Sequence, residues 1–344
     1  MSNPAIRYAF DNKPDTGATQ CVADGIYWLR MPLPYSINHI NLWLLEDGDG
    51  WVVVDTGLGG KVTKAIWEKT FSGVMGGRPI NHVMVTHLHP DHTGCAGWLV
   101  KRFATDLWMT HSEYLLCRIL ASDVGGDAPS EGFSFYKGAG LNQSELERYG
   151  KSFGFLGKVI EPLPKSFRRV TADTHWSIGG HEWRTIIGRG HSVEHASLYS
   201  ERLNVLISGD QLLPSISPNV SVWPTEPSAN PLRNWLESLA AMQVEVADDV
   251  LVLPAHGEPF YGAHERLDQL IGEHTHRLDA LRSVLHKPHR AVDTFTHLFK
   301  GKITDDNLIL AAGEAIAHLH YLLDEGSIVA EPDADGVIWY RNNI

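Results

Sequence analysis

The segment Thr86-His87-Leu88-His89-Pro90-Asp91-His92-Thr93-Gly94 constrains this chain more than any other stretch. Three histidines and an aspartate fall within six positions, directly behind the apolar run Val83-Met84-Val85. Imidazole and carboxylate are the ligands a borderline cation such as zinc prefers. If the strand continues through His89, its period of two places His87 and His89 on one side. Pro90 then stops the ladder and lets Asp91 and His92 turn toward a second point. One loop can therefore serve two ions. The chain holds nineteen histidines, so a lone one is usually a packed or surface residue. Four ligand-type residues clustered behind a strand are instead the pattern of a metal site.

A repeated unit extends this reading along the chain: an apolar strand, a ligand-type residue near its end, then a loop and a helix. His87, His111, His191, Asp210 and His256 all stand at such ends. In layered α/β proteins sites collect outside the carboxyl ends of strands, so residues distant in sequence can share one rim. A hairpin is expected from His39 to Val54, with Asp55-Thr56-Gly57 after it. The Gly59-Gly60 turn lacks the spacing of a phosphate cradle. Residues 1 to 25 read as irregular, and Pro32 and Pro34 predict a loop over 31–37. A helical insert is expected over about 112–165. Further strands are expected at 182–187, 203–207 and 250–253, with a proline-rich loop over 213–231.

A domain boundary is expected near residue 263. Residues 1–263 form the catalytic unit and 264–344 a small unit of three helices and a hairpin around Asp335-Gly336. That tail carries thirteen carboxylates against eight lysines and arginines, and its last helix, 305–325, has none of the latter. A nucleic-acid reader should be basic there, so the expected roles are packing on the core, shaping a cleft or forming a homodimer. The whole chain, at a formal net charge of -12, argues the same way. No apolar run reaches membrane-spanning length, and Met1 to Arg7 lacks a signal-peptide layout, so a cytoplasmic protein without membrane attachment is expected. Cys21, Cys95 and Cys117 have no paired spacing and read as small buried fillers.

With HxHxDH at His87, His89, Asp91 and His92, then Gly190-His191, Ser208-Gly209-Asp210 and Ala255-His256-Gly257, the chain resembles the metallo-β-lactamase superfamily over roughly residues 24–262. Within it the complete ligand set looks like the glyoxalase II type and the related lactonases and ribonucleases. The tail looks like that of the β-lactamase-like protein 2 group, with its winged-helix-like appendage. The resemblance implies an α/β fold, an αββα sandwich holding two divalent ions in a cleft at one edge. Carried over by motif, His87, His89 and His191 hold the first ion and Asp91, His92 and His256 the second, with Asp210 bridging. Zinc is the first expectation, with manganese or iron as alternatives. His111 has no ligand role in that pattern.

Two ions of this kind make hydroxide available at neutral pH and polarise a scissile carbonyl or phosphoryl group. The expected reaction is hydrolysis of a small-molecule ester, thioester or lactone by that hydroxide; the alternative is a phosphodiesterase or ribonuclease. Asp91 and Asp210 are the catalytic candidates, Asp91 also for the leaving-group proton. Asp55 is expected to support a ligand imidazole, since ligating histidines usually donate their other N–H to an acceptor. His195 is a candidate for orienting a ligand or the substrate. Tyr35, His39, Tyr136 and Trp223 are expected in loops or inserts bordering the cleft.

Overall fold

Strands that are apolar on both faces must be covered on both faces, and the architecture follows from that. The computed structural model describes residues 6–343, so Met1 to Ala5 and Ile344 lie outside it. After β1 (Arg7–Tyr8), one seven-stranded sheet runs in sequence order: β2 (Thr19–Ala23), β3 (Ile26–Pro32), β4 (His39–Asp47), β5 (Gly50–Val54), β6 (Ile80–Met84), β7 (Asp106–Thr110) and β8 (Arg168–Val170). The remaining strands are β9 (His175–Ile178), β10 (His181–Gly188), β11 (His195–Ser200), β12 (Val205–Gly209), β13 (Leu251–Pro254) and β14 (Phe260–Tyr261). They build a second seven-stranded sheet in the order β1-β14-β13-β12-β11-β10-β9.

Side-chain alternation divides each strand between two cores. In β4 and β5, Leu42, Leu44, Trp51 and Val53 face outward under the helices α1 (Lys61–Ser72) and α3 (Ala96–Phe103). Trp43, Leu45, Val52 and Val54 face inward, against Trp183, Leu198, Ile207 and Leu253 of the second sheet. The pairs β5·β6, β6·β7 and β7·β8 are parallel, which requires the crossover helices. The outer face of the second sheet packs Ile186, Tyr199, Leu206 and Val252 beneath α8 (Pro231–Glu245), α9 (Ala263–Val284) and α11 (Leu308–Asp324). Four layers result, the αββα sandwich that the resemblance implied.

Between β7 and β8 the insert forms α4 (His111–Ser122), α5 (Ser130–Gly138), α6 (Gln143–Ser152) and α7 (Leu156–Val159). Asn142 caps α6 with a reciprocal pair of bonds to Glu145. In the tail, a 3-10 turn (Ala291–Thr294) and the short α10 (Phe295–Leu298) separate α9 from α11. The hairpin β15 (Ile328–Pro332) and β16 (Ile338–Asn342) follows, turning where Asp333 accepts the N–H groups of Asp335 and Val337. Leu278, Leu281, Leu319 and Leu322 share one core with Tyr136 and Leu146 of the insert. The tail is packed on the catalytic unit. Among the described residues no helix is long and apolar enough to cross a membrane.

Several local expectations fail for identifiable reasons. β2 forms within the stretch read as irregular, its residues half-exposed and so without an apolar pattern. β3 runs on through Pro32, paired with His39 at the strand's last position, where a missing N–H does least harm. β11 is small and polar in sequence yet wholly buried. Cys95 and Cys117 are buried, but Cys21 is exposed.

Candidate metal centre

β6 ends at Met84, so the 87–92 loop is not the strand continuation expected above. The cause is Asp55, at the end of β5 with φ 62, whose carboxylate accepts the Thr86 N–H at 2.8 Å and pulls the chain out of the ladder. His87 and His89 still meet, with Nε2 and Nδ1 2.8 Å apart. His89 then leads into a single helical turn, α2 (Pro90–Thr93), with Pro90 at its first position. That turn redirects Asp91 and His92. Close approach explains the neighbouring glycines: a Cβ on Gly94 would strike the backbone of Gly57 and Gly59.

The other three residues arrive from the second sheet. His191 follows β10, Asp210 follows β12 and His256 follows β13. Asp210 lies between two imidazole sets: Oδ2 is 3.3 Å from His191 Nε2 and 3.9 Å from His87 Nε2. Oδ1 is 3.5 Å from His256 Nε2 and 3.6 Å from His92 Nε2. Asp91 Oδ2 lies 3.3 Å from His256 Nε2. The ligand-type atoms of His87, His89, His191 and Asp210 fall within 4.8 Å of one another, as do those of Asp91, His92 and His256. All seven sequence candidates thus converge in two adjoining groups.

Hydrogen bonds behind the rings fix their tautomers. His92 Nδ1 meets Asp55 Oδ2 at 2.7 Å, His191 Nδ1 donates to the Asn219 carbonyl at 2.7 Å, and His256 Nδ1 donates to the His39 carbonyl at 2.8 Å. With Nδ1 protonated, each Nε2 presents a bare lone pair to the centre, the arrangement of metal-binding histidines. His92 Nε2 and Asp210 Oδ1 are buried with no hydrogen-bond partner. A buried acceptor in that state is costly unless a cation meets it.

Electrostatics agree. Burial, joined by the other imidazoles, pushes His87 well below its usual value and His89 down to about 3. Burial alone would raise Asp91 and Asp210, but the facing His92 and His256 bring Asp91 to about 2 and hold Asp210 well below the carboxylate range. Against their own burial, His92 and His256 are drawn upward by these carboxylates, His92 by Asp55 as well. Two buried anions inside a ring of imidazoles call for positive charge at the centre. The residues present fit two divalent cations.

The supporting residues divide. Asp55 is 1% exposed and holds His92 and Thr86 together. His195 opens β11, and its Nε2 accepts the Asp210 N–H at 3.1 Å, so it orients a ligand through the backbone. His39 acts through its carbonyl on His256, while its ring, pushed to about 4 chiefly by burial, lies against Gly257. Tyr35 and Trp223 are exposed, Tyr35 close enough to Asp91 to feel its charge. Tyr136 is a correction. It lies inside α5, 1% exposed, and packs on Tyr149 and Phe135, because the helix turns its ring into the tail's core. His111 begins α4, exposed beside Phe167.

Sequence reasoning missed three residues. Glu113, fully buried in the first turn of α4, accepts the N–H of Leu88 and of Glu194 and so ties the two ligand loops together. Asn41 donates to the carbonyls of Pro254 and Gly257, fastening the His256 turn to the first sheet. Asn219 supplies the carbonyl behind His191. The only signal for Glu113 was an acidic residue three positions past a strand end; for the asparagines there was none.

Clustered histidines and aspartates able to hold metal at the edge of an αββα sandwich mark a class of metallo-hydrolases. Residues 37–256 match the family described as the metallo-beta-lactamase superfamily, and residues 278–343 match the metallo-beta-lactamase-like C-terminal domain. The chain belongs to this superfamily and is a metal-dependent hydrolase. A solved beta-lactamase domain protein from Burkholderia ambifaria is 39% identical and superimposes with a TM-score of 0.90, covering 98% of each chain. The probable metallo-hydrolase YqjP of Bacillus subtilis is 24% identical over 88% of this chain and 93% of its own length. The human acyl-coenzyme A thioesterase MBLAC2 is 31% identical over 56% of this chain and 65% of its own length.

Proposed function

We propose that this protein is a dinuclear hydrolase of carboxylic esters, with a thioester as the leading substrate class and lactones and aryl esters within the same chemistry. The observation that carries the two-ion reading is the placement of Asp210, one oxygen toward His191 and His87 and the other toward His256 and His92. Two divalent ions, zinc first and manganese or iron otherwise, would supply a Lewis acid and hydroxide at neutral pH. His87, His89 and His191 would hold one and Asp91, His92 and His256 the other, with Asp210 shared. No serine or cysteine nucleophile is then needed.

The chain's own groups do the rest. Asp55 and the carbonyls of Asn219 and His39 keep three imidazoles in the tautomer that faces the centre. Asp91, partly open to solvent, stands where a leaving-group proton can be delivered. Tyr35, near Asp91, keeps an exposed ring available to an acyl group. The tail, winged-helix-like in this reading, is a wall of the catalytic unit and not a nucleic-acid reader, which its acidic balance supports.

The test is a panel of acyl-CoA, glutathione thioester, aryl ester and lactone substrates on metal-loaded protein, with bis(p-nitrophenyl) phosphate and single-stranded RNA beside them. Turnover should concentrate on a carboxylic substrate and fall by more than about 100-fold in Asp210→Ala, since losing the shared ligand itself should exceed the cost of losing a group that only orients one. Faster cleavage of the phosphodiesters, abolished in His89→Ala, would overturn the assignment in favour of the nuclease alternative.

A further inference from the structure

Glu314 lies in the middle of α11, inside the C-terminal domain, yet the residue is only 8% exposed and its carboxylate reaches Asn219 of the catalytic unit. Oε1 takes the Arg277 guanidinium of α9 at 3.1 Å. Oε2 accepts from Asn219 Nδ2 at 2.9 Å. Asn219 Oδ1 in turn receives the Ser221 hydroxyl at 2.6 Å. Both ends of the Asn219 amide are therefore occupied, and its backbone carbonyl is the group that receives His191 Nδ1–H. Gly313, next to Glu314, makes the approach feasible. Its carbonyl accepts the Val222 N–H at 3.1 Å, and a Cβ at Gly313 would strike Ser221.

We propose that Glu314 is a positioning residue for the metal centre, acting through Asn219 to hold His191 in its ligating tautomer and orientation. A carboxylate needed only to tie α9 to α11 could meet Arg277 with both oxygens; here one is spent on the loop behind a ligand. His191 has no other hydrogen bond behind its ring among the described residues, whereas His92 rests on Asp55, a residue of its own sheet. The C-terminal domain thus completes the seat of the first ion. This rests on the ligand assignment proposed above.

Full-length Asn219→Ala, Glu314→Ala, Glu314→Gln and Arg277→Met, with His191→Ala as reference, would be titrated with Co²⁺ and read by visible absorption, with thermal midpoints measured on the metal-free proteins. Asn219→Ala and Glu314→Ala should weaken one of the two sites by about 10–100-fold, the range for loss of a residue that orients a ligand. His191→Ala should abolish that same site. Glu314→Gln, which keeps an acceptor for Asn219, should recover most of the affinity, and Arg277→Met should lower the midpoint while keeping the spectrum. Unchanged Co²⁺ affinity in Asn219→Ala and Glu314→Ala, or a Glu314→Gln no better than Glu314→Ala, would overturn the proposal. An unaltered titration in His191→Ala would instead sink the ligand assignment itself.

Discussion

The two halves of the metal centre are built in opposite ways. His87, His89, Asp91 and His92 come from one loop of the first sheet, and two side chains, Asp55 and Glu113, hold its backbone at Thr86 and Leu88, Asp55 holding the His92 ring as well. His191, Asp210 and His256 come from three strand ends of the second sheet. Main-chain groups hold them: the Asn219 and His39 carbonyls, and the Asp210 N–H set on His195. A local half concentrates its support in few atoms; a topological half spreads it over loops, glycines and another domain. Damage should therefore be deep and one-sided in the first, and shallower but shared in the second.

Asp55→Ala should have the largest effect. It strips the acceptor from the buried Thr86 N–H and from His92 Nδ1, at about 3 kcal/mol of stability, within the range for uncompensated buried donors. Affinity at the Asp91, His92 and His256 seat should fall by at least about 100-fold, with less change at the other. Asp55→Asn tolerates φ 62, since asparagine visits the left-handed region, but its one amide oxygen cannot replace both carboxylate oxygens that receive the Thr86 N–H, the Thr86 hydroxyl and His92 Nδ1. It should regain stability and not metal affinity. Equal loss at both seats in a metal titration would erase the distinction between the halves.

The distinction also explains what could be read from the sequence. The local half was legible because its ligands stand within six positions and behind an apolar strand. The order of the other three was legible as strand ends, and the sandwich only through the family resemblance that these motifs carry. Register and support were not. Asn41, Asn219 and Glu113 act across separations of 25 to 216 positions, and nothing in their neighbourhoods marks a polar residue that will support a distant loop. Tyr136 was misplaced because a helix beginning after Pro129 turns an aromatic inward by periodicity, and that helix's register was invisible without its partner Tyr149.

In the topological half, Gly209→Ala sharpens the comparison. Gly209 has φ 52, and an added Cβ would strike the His195 ring that receives the Asp210 N–H. Strain and displacement together should cost about 2 kcal/mol. Since Asp210 faces both groups, the variant should weaken both seats by similar factors, unlike Asp55→Ala. A loss confined to one seat in the same titration would mean that Asp210 belongs to that seat alone.

The smallest effect expected concerns the tail on which the topological half leans. His318 of α11 donates from Nδ1 to the Glu314 carbonyl and meets His274 of α9 through Nε2 at 3.1 Å, with Arg277 and the Glu314 carboxylate nearby. Burial, with Arg277 adding to it, pushes His318 down to about 4, and burial with His318 and Arg277 pushes His274 well below 6.5. A histidine whose folded pKa lies below its unfolded one gains protons on unfolding. Its stabilisation is complete above about 6.5 and is lost as the pH falls from there toward 4. Between about pH 7 and about pH 5.5 this amounts to about 1 kcal/mol per histidine. In His318→Asn the amide can replace Nδ1 as donor but cannot titrate, so the loss in denaturant stability over that interval should shrink by about that amount. Parallel pH profiles for the variant and the parent would show that the α9 and α11 pair is not what weakens on acidification, leaving the other buried and half-buried imidazoles, His39, His195 and His320 among them, as the groups that set acid stability.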